Sequence, residues 1–389
     1  MEFITTTAAL AATCRTLGER DYVAIDTEFM RDKTYWSKLC LVQLAADGVE
    51  AIVDPLAGPD LAPLLKLLAD ETVVKVFHAG RQDIEIFFHL GGVIPKPMFD
   101  TQVAAMVCGF GDSISYDNLA RRLVGAQIDK SSRFTDWARR PLSERQLRYA
   151  LADVTHLRGV YSKLREELEG SGRTSWLDQE LAVLTDRETY EVGPERAWER
   201  VKAKPRSRRA LALLIDVAAW REREAQRLDV PRNRVLKDEA LVEVAMNHPK
   251  SEADLAMLRA VPQGFERSRA ARGLLEAVER GAERPLATVP EQAQREPLPA
   301  GLEPIVDLLR VVLRLQARRH RVAQRLIATT EDLEEIARSD EADVAALKGW
   351  RRELFGSLAL DVKHGRLGLT VHDGRVALIP AAATEIAGE

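Results

Sequence analysis

Cysteine is scarce in this chain. Only Cys14, Cys40 and Cys108 occur among 389 residues, widely separated and odd in number. That excludes a disulfide-stapled scaffold and a cysteine-ligated zinc site. Long apolar runs are also lacking, since no stretch approaches the roughly 20 residues that span a bilayer. The opening "MEFITTTAALAATC" has no basic start of the kind that begins a secretory signal. A dominant charge of one sign is missing too, with 56 Lys+Arg against 60 Asp+Glu and a net charge of −4. Composition therefore carries no signature of nucleic-acid or membrane-surface binding. Together these absences lead to the expectation of a reduced, cytoplasmic protein with no membrane association and no obligate protein partner.

What is present suits several packed domains. Hydrophobic residues make up 46% of the chain, and the length fits two or three domains. Residues 1–200 carry 24 basic against 31 acidic side chains (−7), and the remainder 32 against 29 (+3). A solvated surface explains so mild an asymmetry. The first part alternates strands and helices. Residues 21–29, 39–45 and 50–54 read as three antiparallel neighbours, 59–70 as a helix and 73–78 as a further strand. A helix from about Gly80 to Leu90 stops at Gly91–Gly92, and "SERQ" at 143–146 is a capping box opening a long helix to about Glu169. Beyond the basic "RVKAKPRSRR" the pattern reads as helix throughout. A stretch at 281–304 with five prolines separates two segments that resemble a diverged repeat, "VLKDEALVEVA" (235–245) and "IATTEDLEEIA" (327–337). The expected boundaries are an α/β domain at 1–200, a helical module at 208–285, a linker at 286–302, a second module at 303–377 and a tail at 378–389.

The chemistry lies in acids. "AIDTEFM" places Asp26 and Glu28 two residues apart on a strand, so they share one face. "FHAGRQD" puts Asp83 in the first turn of a helix, and "YALADV" puts Tyr149 and Asp153 at i and i+4 on the long capped helix. The face around them holds Ala150, Val154 and Leu157, so this helix is expected to pack on the sheet and bring Asp153 to the seam. Each piece alone has a plain alternative: a surface acid pair, a first-turn acid favoured by the helix dipole, a chance helical spacing. As a set, four carboxylates suit two hard divalent cations, Mg²⁺ or Mn²⁺, which leave positions for substrate phosphate.

In order and spacing, "DTEF", "FHAGRQD" and "YALADV" resemble the three motifs of the DEDD exonuclease superfamily, and the tyrosine four before the last Asp resembles its DEDDy branch. "YWSKLCLVQLA" (35–45), "MFDTQVAAMV" (98–107) and "KSSRFTDWARRPLSERQLRYALADV" (130–154) are similar to the ribonuclease D family, and "AAWREREAQRLDVPRNRVLKDEALVEVA" (218–245) to HRDC domains. The resemblance implies an α/β RNase H-like (DnaQ-like) exonuclease domain with a mixed sheet, followed by two all-α HRDC-type helical domains. It implies that Asp26, Glu28 and Asp153 ligate one ion, that Asp26 bridges to a second held by Asp83, and that Tyr149 positions the attacking water. Phe29 and His78 would contact the terminal nucleotide, although a core histidine at a strand end is an equal reading of His78. Gln43 and Asp100 also fit the pattern, with a purely structural role left open.

The implied function is a metal-dependent 3′→5′ exoribonuclease that trims single-stranded RNA, tRNA precursors among its substrates, to nucleoside 5′-monophosphates. The residues themselves do not separate RNA from DNA, so a DNA 3′ exonuclease and a non-catalytic RNA-binding scaffold are the alternatives. In "RLQARRHRVAQR" (314–325), Arg314, Arg318, Arg321 and Arg325 recur at helical spacing. The expectation is a positive stripe contacting backbone phosphate. Trp220 and Trp350, set among apolar neighbours, read as core rather than stacking platforms.

Overall fold

A computed structural model describes residues 1–133, 135–191, 193–291 and 297–381. A six-stranded mixed sheet organises the first part: β1 (Glu2–Ile4), β2 (Tyr22–Met30), β3 (Lys38–Ala46), β4 (Val49–Val53), β5 (Val74–Phe77) and β6 (Met98–Asp100), in the order β1-β4-β3-β2-β5-β6. β4, β3 and β2 pair antiparallel as expected, while β1 joins β4, β5 joins β2 and β6 joins β5, all in parallel. β3 is buried from Leu39 onward because it is central and covered on both faces, hence its near-continuous apolar run. The three-residue strand β1 has too little sequence to announce itself and exists through its partner β4.

Among the described residues, seven α-helices complete this part: α1 (Thr7–Gly18), α2 (Ala62–Ala69), α3 (Arg81–Gly91), α4 (Thr101–Val107), α5 (Tyr116–Val124), α6 (Glu144–Ser171) and α7 (Thr174–Thr185). α6 matters most for function. Ser143 and Gln146 form the expected reciprocal capping box, and Gly172, with φ of 68°, closes its other end in the left-handed region. Ala150, Val154, Leu157, Val160 and Leu164 are buried along one face, which packs across β2, β3 and β4. That helix-on-sheet seam is where Tyr149 and Asp153 meet β2.

The rest is mainly helical, with α8 (Arg208–Leu228), α9 (Arg232–Val235), α10 (Asp238–Asn247), α11 (Glu252–Ala256) and α12 (Arg269–Glu283). Then come α13 (Glu303–His320), α14 (Gln324–Ile327), α15 (Thr330–Arg338) and α16 (Gly349–Arg351), which runs through a π-helical turn into α17 (Ser357–Lys363). Among the described residues, three large apolar cores run from Ile4 to Tyr190, from Ala197 to Val289 and from Val306 to Val362, and a smaller cluster of Cys40, Leu41, Ile52, Trp137 and Ala150 lies beneath α6. Two boundaries therefore differ from expectation. Residues 194–201 leave the α/β domain, because Ala197 and Val201 pack into the core of α8. The segment after α17 is not helical but an antiparallel hairpin, β7 (Leu367–His372) and β8 (Arg375–Pro380), so the expected boundary at 377 falls inside a strand. Of the expected tail, 382–389 lies outside the described residues, as do 292–296 of the linker.

The two helical segments repeat one design. α8 and α13 each end on a left-handed residue, Asp229 (φ 49°) and Arg321 (φ 48°), followed by a four-residue helix and then a longer one. Each of these turns docks onto the α/β domain. Asp229 Oδ1 accepts from the Tyr35 and Trp36 backbone N–H groups at 3.0 and 3.1 Å. At the other turn the Ala323 N–H donates to Met106 O (2.9 Å), the Arg325 N–H to Asp112 Oδ1 (3.0 Å), and Arg173 to the carbonyls of His320 and Arg321.

Candidate nuclease active site

The strand pleat turns Asp26 and Glu28 to the face that α6 covers, and α6 brings Asp153 against them. One carboxylate oxygen from each of the three lies within 4.8 Å of the others. Such a convergence of like charge suits a hard cation and little else. Asp83 stands outside this trio. It sits in the first turn of α3, buried, and accepts a hydrogen bond from the hydroxyl of Thr27, which the pleat turns away from Asp26 and Glu28.

Burial and mutual repulsion push these acids toward their protonated forms. Asp26 is raised well above the usual carboxylate range, first by burial, then by Asp153, Asp83 and Glu28. Glu28 is pushed up to about 9 by burial, then by Asp153 and Asp83, with Arg133 opposing. Asp153 rises to about 7 through burial, moderated by a hydrogen bond from Tyr149 and by the charges of Arg133 and Lys130. Asp83 rises to about 7, again through burial, with the Thr27 hydroxyl opposing. The Tyr149 phenol moves upward too, through burial and then the neighbouring acids, so it keeps its proton at any ordinary pH. Perturbation of this kind, gathered in one place, marks a functional site.

A cavity of about 330 Å³ opens beside the trio, lined by Asp26, Asp153 and Tyr149 together with His78, Tyr116, Lys130 and Arg133. His78 lies there with Nδ1 3.0 Å from Thr101 Oγ1, and burial lowers its pKa, so it is neutral near pH 7. Phe29 is half-buried on the strand beside Glu28, packed against the main core.

Sequence reasoning named Asp100 but left its role open, and passed over the rest of the scaffolding around the acids. Asp100 caps α4 and also accepts from the Ala79 and Gly80 N–H groups at 3.1 and 2.8 Å. It thereby holds Ala79 at a left-handed φ of 58° in the turn that launches Asp83. Gly80 has no room for a side chain there, since a Cβ would lie 2.6 Å from Phe77 Cβ. The segment 135–142 is clamped by Arg140, which bonds Asp54 through two nitrogens (2.7 and 2.6 Å) and Cys40 O (2.9 Å). This fixes Trp137, whose buried ring stacks on Tyr149 with centroids 6.0 Å apart. The only sequence signal was the quoted stretch "FTDWARRPLSE", where nothing local tells a clamp from a surface arginine.

The arginine stripe does not survive as one stripe. α13 ends at His320 and Arg321 turns left-handed, so Arg314 and Arg318 lie on α13 whereas Arg325 lies on α14. All four side chains are exposed, but the turn between them serves docking. Trp220 and Trp350 are buried as expected, and Trp350 stacks on Trp176 of the α/β domain at 4.4 Å.

A carboxylate trio with a companion tyrosine, set between a mixed sheet and its covering helix, defines a 3′→5′ exonuclease. A family model described as 3′-5′ exonuclease matches residues 1–169, and the HRDC domain model matches residues 210–278. The ribonuclease D of Nitrobacter hamburgensis is 51% identical over 97% of this chain and 98% of its own, and that of Granulibacter bethesdensis is 50% identical over 97% and 96%. The crystal structure of Escherichia coli RNase D, described as an exoribonuclease involved in structured RNA processing, superposes with a TM-score of 0.79. It is 31% identical over 93% of this chain and 98% of that one. The chain belongs to the ribonuclease D family. It is a 3′→5′ exoribonuclease of a divalent-metal-dependent class. Among the described residues, no helix is long and apolar enough to cross a membrane.

Proposed function

We propose that this chain removes nucleotides one at a time from the 3′ end of single-stranded RNA, precursor tRNA among its substrates, releasing nucleoside 5′-monophosphates. Asp26, Glu28 and Asp153 hold one divalent ion and Asp26 and Asp83 a second, Mg²⁺ or Mn²⁺. The observation that carries this reading is the meeting of three carboxylates from β2 and α6 within 4.8 Å beside a tyrosine. Bound divalent ions supply charge neutralisation on the phosphodiester and a water acidic enough to attack at neutral pH.

The chain's own groups do the rest. Tyr149 keeps its proton, so it orients the attacking water as a hydrogen-bond partner and does not act as the base. Trp137 and the Asp153 hydrogen bond hold its ring and hydroxyl in place. Lys130 and Arg133 bring positive charge to the cavity wall, facing the phosphate of the terminal nucleotide. Phe29 and His78 contact that nucleotide's base and sugar. Asp83 would help hold the second ion, and its carboxylate accepts the Thr27 hydroxyl in the metal-free protein. Arg314 and Arg318 contact RNA further along the strand, while the turn holding Arg321 and Arg325 remains a docking element. The three free, buried thiols suit a reducing compartment, and we place the activity in the cytoplasm.

The test is digestion of a 5′-labelled single-stranded RNA and its DNA counterpart, each with Mg²⁺ or Mn²⁺. A one-nucleotide ladder shortening from the 3′ end of RNA, with 5′-monophosphate products, is expected. Faster digestion of DNA, or oligonucleotide products, would contradict the reading.

A further inference from the structure

β3 carries a feature that the chemistry above leaves unused. Gln43 is fully buried, and among the described residues both its Oε1 and Nε2 lack a hydrogen-bond partner. A primary amide in that condition is destabilising where it stands, and an apolar side chain of similar length would be tolerated better. The strand register places one polar side chain directly opposite it. In the β2–β3 ladder Gln43 lies directly opposite Asp26, and directly opposite side chains share a face with Cβ atoms about 4.5–5.5 Å apart. On its other side β4 offers Ile52, and along its own strand Leu41 is the next residue on the same face. Leu41 and Ile52 belong with Ala150 to the buried apolar cluster beneath α6.

We infer that Gln43 is a positioning residue for Asp26, its buried amide becoming the hydrogen-bond partner of the Asp26 carboxylate when the site holds divalent ions. Nε2 would donate to one oxygen of the Asp26 carboxylate, fixing the orientation in which Asp26 serves as a ligand. Groups that orient a ligand in this way set metal affinity although they touch no metal. The inference rests on the metal-binding reading proposed above. It adds that the chain accepts a less favourable metal-free β3 in return for a better-held ligand.

The test compares full-length Gln43→Met, Gln43→Leu and Asp26→Asn with the wild type, without RNA. Manganese affinity is measured by calorimetry, and the thermal midpoint is measured in chelator. Gln43→Met is expected to melt at or above the wild-type temperature while its Mn²⁺ affinity falls roughly tenfold, and Gln43→Leu is expected to follow it. Unchanged Mn²⁺ affinity in both Gln43 variants, with Asp26→Asn binding poorly, would overturn this inference and leave the metal site standing. A lowered midpoint accompanying weaker Mn²⁺ binding would also overturn it, by making Gln43 a packing residue. Wild-type Mn²⁺ affinity in Asp26→Asn would overturn the metal-binding reading and this inference together.

Discussion

Replacing Asp26 with Asn should abolish activity and stabilise the metal-free protein at the same time. The oxygens of Asp26, Glu28 and Asp153 lie within 4.8 Å of one another. Two unit charges that far apart repel by about 3 kcal/mol at an effective dielectric constant of 20. Only part of that repulsion is expressed, because the raised pKa values leave the acids partly protonated at neutral pH. Removing the central charge should therefore stabilise the chelated protein by about 1–3 kcal/mol near pH 8, raising its melting midpoint by about 3–8 °C. Near pH 5, where protons already quench the repulsion, the gain should shrink toward zero. The assay is scanning fluorimetry in chelator at both pH values, paired with digestion of labelled RNA in Mg²⁺. A variant less stable than wild type near pH 8 would show that Asp26 stabilises the fold through contacts, and the electrostatic argument would be wrong.

The metal-free protein should lose stability as pH rises. Asp83 and Asp153 have folded-state values of about 7, and Glu28 of about 9, all above the roughly 4 expected in the unfolded chain. The folded state thus binds the extra protons, and their contribution is fully present below about pH 4 and lost as pH climbs through 7 to 9. Saturating Mn²⁺ should flatten that decline; parallel curves with and without ion would contradict it. Tyr149→Phe should lower kcat about 100-fold while leaving Mn²⁺ affinity within about threefold, since the phenol orients water and ligates nothing. Equal losses in both would reassign Tyr149 to the metal. Trp350→Ala removes the stack on Trp176 and should destabilise the docked second module by about 3–5 kcal/mol. Hydrogen exchange should then quicken across Met106–Asp117, the segment that receives the Arg321–Arg325 turn and runs on into the cavity wall. Unchanged protection there would mean that docking and the site are uncoupled.

Much of the site could be read in advance because it is written locally. A D-x-E on a strand has one possible face, and a capped helix with Tyr149 and Asp153 at i and i+4 has one possible orientation once its apolar stripe is packed. Contacts made across the chain could not be read. The Asp54–Arg140 clamp joins residues 86 apart, and the Thr27 hold on Asp83 joins residues 56 apart. The arginine stripe misled for a different reason. Its spacing is helical, but Arg321 adopts a left-handed backbone, as Asp229 does at the equivalent turn of the first module. A single reversed φ turns a continuous face into a docking corner. Residues 194–201 changed allegiance because Ala197 and Val201 match the apolar face of α8, a complementarity visible only once that helix has a position.

The central claim is that Asp26, Glu28, Asp83 and Asp153 hold the divalent ions that act on the 3′ end of RNA. It is tested most directly by anomalous diffraction from a crystal grown with Mn²⁺ and a short RNA whose terminal phosphodiester resists hydrolysis. One manganese peak among the oxygens of Asp26, Glu28 and Asp153 and a second between Asp26 and Asp83, both against the terminal phosphate, are expected. Peaks elsewhere on the protein, with the RNA 3′ end outside the cavity beside Tyr149, would contradict the account.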